Sequence, residues 1–260
     1  LSLAFVALSI LAIAACVRPT RTARAPRPGR PTVTVMTFNV NFGLAGDRNT
    51  IDAIRQGGAD VVLLQETTPE WEQALRADLH GLYPRMAFRH CCRAGGLGAL
   101  SKWPFREMDY IPAPSGWFPA RRLIVETPLG GLQVLNVHLR PPVSDAGSYV
   151  SGYFNTPPIR EREIAAYFGR LDPSLPTIVA GDFNEGDGGR AVAFLGARNF
   201  RSVLPEFHPE ADTWRWTTSV GTIRGRLEHV LYDPRLEPLD ARVLPSGRSD
   251  HLPVVVTFER

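Results

Sequence analysis

Six short segments place chemically competent side chains at the ends of apolar runs. Val35-Met36-Thr37-Phe38-Asn39 ends in an amide, and Val61-Val62-Leu63-Leu64-Gln65-Glu66 ends in an amide followed by a carboxylate. Leu135-Asn136-Val137-His138-Leu139 carries an imidazole, and Thr177-Ile178-Val179-Ala180-Gly181-Asp182-Phe183-Asn184 closes on Asp-x-Asn. Arg226-Leu227-Glu228-His229 opens a later apolar run, and Ser249-Asp250-His251 stands just before the last one. Carboxylates, amides and imidazoles on loops fixed by rigid strands are the materials of a metal and acid–base site. Singly, each has an ordinary structural reading. Asn39 past a strand is turn chemistry, Glu66 before Thr67-Thr68-Pro69 can cap the next helix, and His138 can be a core imidazole with a partner. Asp182 and Asn184 are more pointed, because residues two apart leave a strand on one side. It is the succession that signals a site.

The elements that must position these residues follow from periodicity. Val33–Val40 and Asp60–Gln65 read as buried strands with an amphipathic helix near Thr50–Gly57 between them. Pro69–Leu79 reads as a helix with proline in its first turn. Strands are expected at Leu97–Ser101, Arg122–Glu126, Leu132–Leu139, Thr177–Ala180, Glu228–Tyr232 and Pro253–Phe258, and helices at Pro158–Phe168 and Arg190–Ala197. No repeat or long linker interrupts residues 32–260, so they read as one α/β domain. Strands mixed with helices suggest two sheets packed face to face with helices outside.

Taken in order, Thr-Phe-Asn, Leu-Gln-Glu, Asn-Val-His-Leu, Gly-Asp-Phe-Asn, Arg-Leu-Glu-His and Ser-Asp-His resemble the endonuclease/exonuclease/phosphatase superfamily. That group includes deoxyribonuclease I, apurinic-site endonucleases, neutral sphingomyelinases and inositol polyphosphate phosphatases. Gly96-Leu97-Gly98-Ala99-Leu100-Ser101-Lys102-Trp103-Pro104 is similar to its glycine-rich strand. The resemblance covers the chain from Thr37 to His251. It implies a deoxyribonuclease I-like four-layer sandwich, two mixed β-sheets flanked by helices. It also implies a hydrolase of phosphate esters that uses Mg2+, with Mn2+ as the alternative. Asn39 and Glu66 would hold the metal, Glu66 as the direct carboxylate ligand, which suits a hard cation that keeps most of its waters. Asp182 would position or deprotonate the attacking water, and Asn184 would donate to phosphoryl oxygens. His251 would act as base or donor, steered by Asp250 or Glu228, and His138 would stand beside the phosphate as acid or donor. Two departures bear on tuning: Glu228 stands where relatives carry Asp, and Asn41 stands where apurinic-site endonucleases are acidic.

Composition bounds the rest. With 44% hydrophobic and 21% charged residues the chain can bury a core. The net charge of +3 is misleading: Arg18, Arg21, Arg24, Arg27 and Arg30 precede residue 31, and 29 basic residues less these five leave 24 against 26 acidic ones. The body is no basic platform of the kind that backbone neutralisation of nucleic acid favours. Residues 1–17 form an apolar run ending in Ile13-Ala14-Ala15-Cys16, which reads as a signal peptide, a lipoprotein signal acylated at Cys16, or a membrane anchor. Residues 18–31, rich in Pro, Arg and Thr, read as a semi-extended linker. Adjacent Cys91 and Cys92 read as two ordinary thiols, since they pair only through a strained ring and lack zinc spacing.

Three functions compete: a nuclease-like phosphodiesterase, a membrane-associated phospholipase C or sphingomyelinase type of hydrolase, and a catalytically silent binding module. The near-neutral body counts a little against the first and the lack of a long apolar hairpin against the second. The intact Asn39, Glu66, Asp182, Asn184, Asp250 and His251 count against the third. The partner is accordingly a phosphate ester, nucleic acid or phospholipid head group, met by a monomer that is membrane-associated or exported through its N-terminus. Arg140–Pro157 reads as a loop whose Tyr149, Tyr153 and Phe154 stack a base, meet lipid or, by default, pack. Arg121, Arg122, Arg140, Arg160 and Arg162 are available to phosphate but read first as solvated surface.

Overall fold

The computed structural model of the protein describes residues 20–260. The expected leader, its Cys16 and Arg18 lie outside them. Two six-stranded mixed sheets face each other. The first is built from β1 (Thr32–Asn39), β2 (Val61–Gln65), β3 (Arg85–Arg89), β4 (Leu97–Ser101), β13 (Glu237–Val243) and β14 (Val254–Glu259), in the order β13-β14-β1-β2-β4-β3. The second holds β5 (Phe105–Ile111), β6 (Ala120–Thr127), β7 (Gly130–His138), β8 (Thr177–Asp182), β9 (Arg201–Ser202) and β12 (Glu228–Tyr232), in the order β5-β6-β7-β8-β12-β9. A separate ribbon pairs β10 (Trp214–Thr218) with β11 (Gly221–Gly225).

Strand parity decides which side chains meet. Val33 and Val35 of β1, Val61 and Leu63 of β2, Val134 of β7, Ile178 and Ala180 of β8 and Val230 of β12 share one buried cluster between the sheets. Side chains alternate faces along a strand, so the same parity carries Asn39, Gln65, Asn136, His138, Asp182 and Glu228 inward. The opposite parity covers the outer faces. Met36, Phe38, Val62 and Leu64 pack against α1 (Arg48–Gly57) and α2 (Pro69–Leu79) through Ile51, Ile54, Trp71 and Leu75. Leu135, Val137, Val179 and Leu231 pack against α4 (Pro157–Phe168) and α5 (Arg190–Gly196) through Ile164, Tyr167, Ala191 and Leu195. The result is the expected four-layer sandwich, each buried aliphatic side chain contributing roughly 1.5–3 kcal/mol.

Both parallel pairs, β1–β2 and β7–β8, run toward the same end of the sandwich, where Asn39 pairs with Gln65 and His138 with Asp182. Gly181 is required there: an added Cβ would overlap the Val137 carbonyl, and its φ is 152°. Gly96 likewise lies against the Thr67 carbonyl, which accounts for part of the glycine-rich motif before β4.

Several expectations need correcting. Cys91 and Cys92 are joined as a vicinal disulfide rather than standing as two thiols; their turn carries left-handed backbone at Cys92 and Arg93, which lets neighbouring sulfurs face each other. The Arg140–Pro157 segment contains a short helix, α3 (Tyr149–Asn155), capped by Ser148 Oγ on the Ser151 amide. Its Tyr149, Tyr153 and Phe154 are 65, 67 and 73% exposed, so they do not pack inward. The β10–β11 ribbon is short and mixed in sequence, and it exposes Trp216, Val220 and Ile223; Tyr149 stacks on Trp216. Four of the five arginines read first as solvated surface are instead held in ion pairs. Arg121 bonds Glu107, Arg122 pairs with Asp109, Arg160 pairs with Glu185, and Arg140 holds Asp145 and lies over Trp117.

Residues 20–31 carry no regular secondary structure, as a semi-extended segment should, yet they are fastened down. Arg21 pairs with Glu206, and Arg24 and Arg27 both reach Glu259 and Glu237. Glu259 is the β14 partner of Thr32, at the end of β1 remote from Asn39. Among the described residues no helix is long and apolar enough to cross a membrane.

Candidate active site

The inward parity brings Asn39, Asp182 and Glu228 from three strand ends to one end of the sandwich, where the loops add Glu66, Asn184, Asp250 and His251. Asn39 Nδ2 donates to Glu66 Oε1 at 3.0 Å and to Asp182 Oδ2 at 3.1 Å, joining residues 143 apart in the chain. Glu66 Oε2 accepts from the Phe42 amide, and Asn39 Oδ1 accepts from the Asn41 amide. Glu66 reaches this position through a left-handed turn with φ 63°, and Asn184 sits in another with φ 53°. Such backbone costs about 1–3 kcal/mol per residue and is sustained here by the bonds each side chain makes. Asn184 Nδ2 donates to Leu139 O, and its backbone amide caps Asp182 Oδ1.

On the other side of Asp182 are the two imidazoles. His251 Nε2 lies 3.8 Å from Asp182 Oδ2, and His138 Nε2 lies 3.5 Å from the same oxygen. His138 Nδ1 is fixed by Ala94 O at 3.1 Å, and the Phe118 ring lies 4.4 Å from the imidazole ring. His251 Nδ1 bonds Glu228, which is fully buried. The longer Glu therefore reaches the imidazole as well as an Asp could. Asp250 does not steer His251: it stands 3.9 Å from Nε2 and is held by Asn41 Nδ2 at 2.9 Å and Trp214 Nε1 at 3.1 Å.

The charges of this cluster are interdependent. Burial alone would lower the proton affinity of His251, but the Glu228 and Asp182 carboxylates outweigh it and push its pKa up to about 10. Burial raises Glu228, opposed by His251. We take the pair as one buried proton-sharing unit with the positive charge on His251, because its ring is flanked by two carboxylates.

Two places meet the requirement for a cation. Asp182, Glu228 and His251 offer ligand atoms within 4.8 Å of one another, and Glu228 Oε2 has no partner among the described residues. That set is closed, however, with His251 Nδ1 already committed to Glu228 and little surface left for water. Glu66 is only half-buried and sits with Asp182 around the Asn39 amide. Its carboxylate, a hard oxygen donor at the edge of solvent, suits a small divalent cation that keeps several waters. The residues therefore fit a metal best on the Glu66 side.

A model of the endonuclease/exonuclease/phosphatase family matches residues 36–251. The chain belongs to the endonuclease/exonuclease/phosphatase family. It is, like that family, an enzyme, a metal-dependent hydrolase of phosphoric esters. No curated protein sequence matches it. The fold of an endonuclease/exonuclease/phosphatase from Beutenbergia cavernae is similar, with 20% identity and a TM-score of 0.69 over 88% of this chain and 72% of that one. An AP endonuclease from Archaeoglobus fulgidus is 19% identical with a TM-score of 0.66, covering 86% of this chain and 98% of that one. The D. rerio TDP2 complexed with single strand DNA product is 18% identical with a TM-score of 0.67, covering 88% and 99%.

Within the family frame, some contributors had no role assigned from the sequence. Gln65 and Asn136, present in the quoted motifs, lie between the sheets immediately inside the site, where their inward parity puts them. Asn41, noted in the sequence as a departure from apurinic-site endonucleases, holds Asp250 together with Trp214, whose signal was weaker: its alternation with Trp216 before the Ser219-Val220 turn. Phe118 and Ala94 act through backbone and ring surface, for which residue type gives no clue.

Proposed function

We propose that the protein is a Mg2+-dependent phosphodiesterase that cleaves by a nuclease-like, in-line attack of water. The supporting observation is the convergence around Asn39, whose single amide touches both Glu66 and Asp182, with His251 on the far side of the same aspartate. An acidic side that favours a cation and an imidazole side that favours a phosphoryl oxygen thus share one mouth.

In this reading Asp182 accepts a proton from the attacking water as its oxygen bonds to phosphorus. Asp182 suits the base because His251, held protonated by two carboxylates, does not. The His251 imidazolium hydrogen-bonds to a nonbridging oxygen, where negative charge grows as the P–O ester bond breaks and the leaving alkoxide departs to take a proton from solvent. Asn184 and His138 line the same wall and orient the phosphoryl group. A divalent cation held by Glu66 beside Asn39 and Asp182 would supply positive charge to the phosphoryl oxygens. Glu228 fixes the His251 ring and its charge, and a positioned proton-transfer group is worth about 10²–10⁴-fold.

A second reading, a phospholipid head group as substrate, is favoured by one observation: Val150, Val220 and Ile223 are 75, 95 and 51% exposed beside the aromatic residues of α3 and the ribbon. Aliphatic tips suit lipid better than nucleobases. Hydrolysis of plasmid DNA, sphingomyelin and bis(4-nitrophenyl) phosphate, each with Mg2+ and with chelator, separates the two. Metal-dependent turnover of the nitrophenyl ester and DNA is expected; no turnover of any phosphodiester would remove the proposal.

A further inference from the structure

A cavity of about 450 Å³ opens beside the candidate catalytic cluster, lined by Phe42, Cys92, Arg93, Ala94, Gly116, Trp117 and Phe118. Its walls touch the site at two points. The Phe42 amide donates to Glu66 Oε2, and Ala94 O accepts from His138 Nδ1 while the Phe118 ring lies against that imidazole. Anything bound in the cavity therefore adjoins a phosphate held between Glu66 and His138.

The walls are aromatic and the charge is positive. Phe42 is 39% exposed at the mouth, with the Arg93 guanidinium 5.8 Å from its ring centroid. Arg93 is exposed and has no ion pair among the described residues. Trp117 has the Arg140 guanidinium 3.5 Å over one face, and its carbonyl contacts Cys92 Sγ. Arg140 is itself anchored by Val143 O and Asp145, so the indole is held rather than free to turn. Flat rings fixed at a cavity wall, with a free guanidinium at the rim, suit a planar heteroaromatic group carrying negative charge. A volume of this size falls in the range of small-molecule sites.

We propose that this cavity is a base subsite: it stacks the nucleobase adjoining the scissile phosphate against Phe42 and Trp117, while Arg93 meets a further phosphate. The proposal rests on the phosphodiesterase reading and narrows it to nucleotide-bearing substrates. The shared chemistry is a nucleobase next to a phosphodiester, whether on a polynucleotide or on a small dinucleotide.

The test compares thymidine 5′-(4-nitrophenyl phosphate) with the same ester of abasic deoxyribose, so that the leaving group is constant. In the intact protein the base should lower KM at least about fivefold, the lower end of what stacking on an aromatic side chain supplies. In Phe42→Ala and Trp117→Ala that advantage, read as the ratio of KM for the two esters within each variant, should fall to within about twofold of none; Trp117→Phe should retain most of it. Calorimetric binding of thymidine 5′-monophosphate, weakened in Phe42→Ala, reads the subsite without turnover. If neither ester is cleaved but the nucleotide binds in a Phe42-dependent way, the catalytic reading fails and the subsite stands. An equal KM for both esters, or a base advantage that survives both alanine variants, overturns the subsite. Phe42-dependent cleavage of a single-stranded oligonucleotide assigns the base to a polymer; the same dependence confined to a dinucleotide assigns it to a small molecule.

Discussion

Gln65 Nε2 donates to Asn136 Oδ1 at 2.7 Å, across the interface between the two sheets. Asn136 in turn donates to Leu64 O and Gly98 O, and Gln65 donates also to Thr37 Oγ1. Both residues are fully buried one or two positions from Glu66 and His138. The bond thus sets the spacing between the half of the site on the first sheet and the half on the second. Removing one partner leaves the other unsatisfied in a dry interior, which costs about 1–3 kcal/mol. Asn136→Ala should lower Tm by roughly 2–12 °C, given about 2–4 °C per kcal/mol at this size. Thermal unfolding by circular dichroism checks it, and an unchanged Tm would mean that the network contributes nothing.

Asp182→Ala and His251→Ala should each reduce turnover of bis(4-nitrophenyl) phosphate by at least about 100-fold, while circular dichroism shows the fold retained. Full activity in either variant would remove the role given to that residue.

Glu228 should govern the charge of His251. Because the folded value near 10 exceeds the ordinary 6.5, folding favours the protonated ring. That stabilisation is whole below pH 6.5 and is lost as pH climbs through about 10. The imidazole resonance of His251 in a metal-free sample should accordingly remain that of the cation at pH 8. In Glu228→Gln it should titrate at a lower pH, and turnover should fall about 10²–10⁴-fold. A neutral His251 at pH 7 in the unaltered protein would contradict this assignment and return His251 to the position of base.

Metal dependence has a readout apart from activity. Addition of Mg2+ at 100 times its dissociation constant should stabilise the protein by about 2.7 kcal/mol, seen as a rise in Tm that a chelator reverses. Glu66→Gln should abolish most of that rise. An undiminished rise in the variant would place the cation elsewhere, with the Asp182, Glu228 and His251 group as the next position to examine.

Much of this arrangement was legible because strand ends carry strong signals. Pro69–Leu79, Leu97–Ser101 and Glu228–Tyr232 coincide with the expected bounds, since proline, glycine and unbroken apolar runs mark them sharply. β5 was not anticipated: Phe105–Ile111 alternates half-buried and exposed positions and carries Arg106, Glu107 and Asp109, the signature of an edge with one solvated face. β13 was hidden by Pro238, which demotes a run to an edge strand. The helix Tyr149–Asn155 escaped notice because its aromatic, β-branched and glycine residues have weak helix propensity, and only the Ser148 cap betrays it. In the site, residue types identified which groups do chemistry but not who steers whom. Whether Glu228 or Asp250 contacts His251 depends on the antiparallel register of β12 against β8, where Glu228 faces Asp182.

The fastening of Arg21, Arg24 and Arg27 to Glu206, Glu237 and Glu259 has a geometric corollary. These acids cluster at the pole from which β1 departs, and its eight residues cover roughly 25 Å at about 3.3 Å each before Asn39 is reached. A bead or tag attached ahead of Thr20 would therefore join the described fold at the pole opposite the candidate site, like a lamp on a wall bracket. Immobilisation by that route should leave substrates in the surrounding medium with an unobstructed approach.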